Sequence, residues 1–63
     1  MIKEFVLEGC LAQRHKDAGM WLCLAPANKQ ILNLIKDGSV IESFDTNTVT
    51  IAEILYKADI HLN

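Results

Sequence analysis

"PANKQILNLIKDG", residues 26–38, is the stretch on which the architecture turns. Ala27, Ile31, Leu34 and Ile35 recur at i, i+4, i+7 and i+8, the spacing of one apolar helix face, while Lys29, Asn33 and Lys36 fall on the other. Pro26 suits the first helical position, where the missing N–H has no intrahelical partner to lose. Gly38 stands where a helix can end in a left-handed residue. The spacing predicts a helix over 26–37. Leu32 lies off its main face, placed either to widen the apolar stripe or to touch a neighbouring subunit.

Working outward, "SVIESF" (39–44) follows that stop, precedes the turn cluster Asp45-Thr46-Asn47 and reads as a strand. "TIAEILYKA" (50–58) carries Ile51, Ile54, Leu55 and Ala58 at i, i+3, i+4 and i+7, and Thr50 with Glu53 has capping-box spacing, so a second helix is expected there. "MWLCLA" (20–25) is a short apolar run without helical period, the pattern of a strand buried on both faces. The segment before it, residues 2–14, reads as a strand. A helix is the alternative, and Gly9 in its middle counts against that by about 1 kcal/mol relative to alanine. The last residues, "ADIHL" (58–62), fit either a short edge strand or an irregular tail.

Together these elements predict an α+β fold in one small domain. A three-stranded antiparallel sheet is covered on one face by one or two helices, in the order β-β-α-β-α, and the other face is free to meet a second copy.

Both cysteines, one of the two histidines and the only tryptophan fall within residues 9–23, "GCLAQRHKDAGMWLC". As a zinc site it lacks a close cysteine pair, since structural zinc wants soft ligands in short-spaced pairs. As a thiol catalyst it supplies residue types, with His15 and Asp17 near Cys10 and Cys23. Yet each thiol sits among Leu and Ala, the surroundings of a packed and inert cysteine. The reading that covers most of the stretch is a hairpin with "RHKDAG" as its loop. With Lys16-Asp17 at the tip, Cys10 faces Cys23. No catalytic residue, metal or cofactor is expected.

The chain has 63 residues, of which 51% are apolar; counting glycine and leaving out tyrosine gives about 54%, against a usual ~45–50%. A domain this small buries only about 60% of the surface its unfolded chain exposes. The surplus points to a subunit interface, with a homodimer favoured. Formal charge is −2 and the six Lys and Arg are scattered, which leaves no basic stripe to neutralise phosphates, so nucleic acid is not an expected partner. The longest apolar run is too short to span a bilayer, and two cysteines are too few for a disulfide scaffold, which places the chain in the reducing cytoplasm.

The function expected from these features is non-enzymatic. The chain reads as a small interaction or regulatory accessory protein that self-associates, by analogy with phage- or plasmid-type accessory chains. The alternative is a small-molecule module that stacks a flat, nucleotide-like ligand at a subunit interface near Trp21 and Tyr56. The interface or ligand candidates are Trp21, Leu32 and Tyr56.

Overall fold

The computed structural model describes residues 10–62. Within them, five elements follow one another: α1 (Gln13–Asp17), β1 (Met20–Leu24), β2 (Ile31–Lys36), β3 (Ser39–Asp45) and α2 (Ile51–Ile60). The strands form one antiparallel sheet in the order β1-β2-β3, so the class is α+β, with the helices α1 and α2 beside the sheet among the described residues.

The sequence expectation for 26–37 needs correction. These residues form a loop and the central strand, not a helix. Residues 25–30 make the loop: Gln30 N donates to Asn28 Oδ1 at 3.0 Å, and Ala25 N closes it onto the Ile31 carbonyl at 2.8 Å. Asp37-Gly38 then forms a two-residue turn between the paired residues Lys36 and Ser39. Asp37 has φ 52° and Gly38 φ 84°, the two left-handed residues that a type I′ hairpin turn requires. Gly38 thus turns a hairpin rather than ending a helix. The strand wins because "ILNLI" also fits a period of two. As a strand it puts Leu32 and Leu34 on the same face, and both become fully buried.

Sheet register fixes which side chains share a face. Trp21 pairs with Ile35 and Leu22 with Leu34 across β1–β2. Leu32 pairs with Phe44 across β2–β3, where a bulge opposite Leu34/Ile35 inserts Ile41. Met20, Leu32, Leu34 and Phe44 gather on one face with Ile54 and Ala58 of α2 and with Cys10 and Leu11 just before α1. That cluster is the core. Each fully buried leucine in it contributes about 1.5–3 kcal/mol by leaving water.

Strand β1 lies where the sequence placed it, but it is buried on one face rather than both: Met20 is buried while Trp21 and Cys23 are exposed. Strand β3 and helix α2 occupy their expected stretches. Thr50 caps α2, its hydroxyl accepting from Glu53 N at 3.2 Å. Residues 58–60 continue α2, and His61 and Leu62 form a turn, so no edge strand forms there.

Of the expected strand over 2–14, residues 2–9 lie outside the described part. Its remainder is not a strand, since Gln13–Asp17 is helical. "RHKDAG" is therefore not a hairpin loop, and Cys23 lies opposite Asn33, not Cys10. The stretch "QRHKD" has no β-branched residue to favour a pleat, and its histidine completes a helix cap. Gly19 (φ 81°) follows α1; a Cβ there meets Asp37 Oδ1 at 2.7 Å, so glycine permits both the conformation and the approach of the β2–β3 turn.

Candidate functional site

Two features stand apart from the core: an open sheet face and a polar clasp at the C-terminal end of α2.

The open face is the one that α2 does not cover. Because residues alternate along each strand, it carries Trp21 and Cys23 of β1, Ile31, Asn33 and Ile35 of β2, and Val40 and Ser43 of β3. Trp21, Ile35 and Val40 lie in one cross-strand row. Trp21 is 48% exposed and Val40 55%, and Ile35 and Ile31 are half-buried. The neighbouring row, Cys23–Asn33–Ser43, is polar, with Ser43 Oγ donating to Asn33 Oδ1 at 2.8 Å. The arrangement is an uncharged apolar ridge beside a strip of small polar groups, with Asp45 the charge at the far end of the face.

The clasp joins α1 to α2. His15 is fully buried, and its Nε2 lies 2.7 Å from Asp59 Oδ1. Arg14 grips the same carboxylate with two donors, Nε to Oδ1 at 3.0 Å and Nη2 to Oδ2 at 3.2 Å. These partners, the His15 hydrogen bond first and the Arg14 guanidinium after it, hold the Asp59 carboxyl below the usual carboxylate range. Nearby, Lys36 Nζ donates to the His61 carbonyl at 2.8 Å, a cation placed at the negative end of the helix. His61 Nε2 lies 3.3 Å from Glu42 Oε1. The end of α2 is thus fastened to α1, β2 and β3 by polar groups, while Ile54 and Ala58 fasten its middle by burial.

The predicted site residues are not brought together. Trp21 lies on the open sheet face. Tyr56 is exposed on the outer side of α2, so the sheet stands between it and Trp21 within one chain. Leu32, expected to reach a neighbouring subunit, is a core residue with no exposed surface; the strand period turned it inward. Ile35 and Val40 complete the Trp21 row and were missed. The Asp37-Gly38 pair between two apolar runs is the signal that gives their register. No local signal marks His15 and Asp59, which meet across 44 residues of chain.

The thiols are separated in character as well as position. Burial pushes the Cys10 thiol up. Cys23 is exposed and its Sγ donates to the Leu24 carbonyl at 3.4 Å. Both ring nitrogens of His15 are already bonded, to Ala12 N and to Asp59, so the ring has no free nitrogen to act as base toward either thiol. Among the described residues, no helix is long and apolar enough to cross a membrane. No family model, curated protein or solved structure matches the chain.

Proposed function

We propose that this chain is a non-enzymatic interaction protein that self-associates through the open face of its sheet. The observation that carries the reading is the Trp21–Ile35–Val40 row: an aromatic and two aliphatic side chains, aligned across three strands and partly open to water. Tryptophan is among the side chains enriched at the energetic centres of interfaces. A sheet face whose ridge carries no charge adds no desolvation of ions on burial. A two-fold dimer is the simplest assembly, because one self-complementary patch then serves both subunits. The two free thiols suit a reducing, cytoplasmic setting.

Light scattering coupled to size exclusion, run from micromolar to near-millimolar chain, tests it. The expected result is a dimer at the upper end, little altered by salt, and a monomer for Val40→Glu with an unchanged circular dichroism spectrum. A chain that stays monomeric at the highest concentration removes the reading.

A further inference from the structure

Ala12 precedes α1 in the N-cap position, yet its methyl group has nothing with which to cap a helix. The imidazole of His15, at the third helical position, does part of that work: Nδ1 accepts the Ala12 backbone N–H at 3.0 Å. This is the role a glutamate or glutamine fills in a capping box. A ring nitrogen that accepts an N–H carries no proton. Nε2 therefore holds the single proton of a neutral ring and donates it to Asp59 Oδ1 at 2.7 Å. Among the described residues, the charged groups around the ring are Asp59 of α2 and, through that carboxylate, Arg14 of α1. Lys16 and Asp17, the other charges of α1, are exposed, and β1 carries no charge from Met20 to Leu24.

We propose that His15 is a proton-operated latch on residues 10–12. A second proton, taken from solvent, has only Nδ1 to occupy. It turns that atom from acceptor to donor and sets it against the Ala12 N–H. The bond to Ala12 is lost, while the contact with Asp59 becomes an ion pair and persists. Acid therefore frees residues 10–12 without parting α1 from α2. Cys10 and Leu11, which lie in the core at neutral pH, are the residues released. The device is independent of the open sheet face, on the other side of the sheet.

Dithiodipyridine, which reacts with accessible thiols in acid as well as at neutral pH, reads the latch in a Cys23→Ser chain. Relative to a free thiol, Cys10 should react about tenfold faster at about pH 5 than at about pH 7.5, as expected when one part-buried backbone donor loses its partner. His15→Gln keeps an acceptor for Ala12 but cannot take the proton, and its Cys10 rate should stay level. A level rate in the parent, or an equal rise in His15→Gln, overturns the proposal. Nitrogen-correlated NMR of the unmodified chain gives a second reading that needs no variant. The proposal requires the Nε2–H tautomer at neutral pH, and loss of Ala12 amide protection in acid while the sheet amides keep theirs. An Nδ1–H ring at neutral pH, or protection lost only together with the sheet, overturns it.

Discussion

Residues 31–36 and 51–60 present similar apolar spacing in the sequence, yet one is the central strand and the other the long helix. Ile31, Leu34 and Ile35 recur at i, i+3 and i+4, as do Ile51, Ile54 and Leu55. What separates them is the chemistry at their ends. Thr50 offers a hydroxyl to Glu53 N and starts a helix. Asp37-Gly38 supplies two left-handed residues and folds β2 back on β3. Apolar spacing over six residues fits both periods, and the residues that stop and start an element decide between them.

The largest expected effect tests the strand side of this comparison. Leu32→Ala should cost about 2–5 kcal/mol in chemical denaturation, as for any leucine removed from a closed core. Were 26–37 a helix with Leu32 off its main face, the same change would stay within about 0.5 kcal/mol. Next in size is Asp37→Val. A β-branched residue at φ 52° is strained, and the turn should lose about 1–2 kcal/mol, whereas the end of a helix would tolerate valine. On the helix side, Thr50→Ala removes the cap of α2 and should cost about 1 kcal/mol, with serine in its place restoring most of the loss.

The smallest effect sharpens the comparison at the far end of α2. Partners hold the Asp59 carboxyl low in the folded chain, so its contribution is complete above the unfolded carboxylate range and is lost as pH falls through its lower folded value. Stability measured below about pH 4 should therefore fall less steeply in Asp59→Asn than in the parent.

The fold was legible where local chemistry was strong. Thr50, the cluster Asp45-Thr46-Asn47 and the run "SVIESF" each placed an element: Asn47 N donates to Asp45 Oδ1 at 2.9 Å, an Asx turn between β3 and α2. The failures share a cause. "ILNLIK" has apolar residues on both faces of a strand, so its alternation is masked, and a helix period fits by coincidence. "QRHKD" gives no period at all, and its single helical turn is held by a histidine whose second partner lies 44 residues away.

By itself, the sequence determined the class of object, the long helix with its Thr50 cap, the turn before it and two of the three strands, because those depend on residues within one or two turns of each other. Tertiary structure alone decided that Leu32 is core while Trp21, Ile35 and Val40 share a row. It also decided that His15, Arg14 and Asp59 meet. Each of these depends on pairing between distant segments, and the free energy of that pairing, through buried area and satisfied backbone groups, exceeds the weak local preferences that a short apolar run can express.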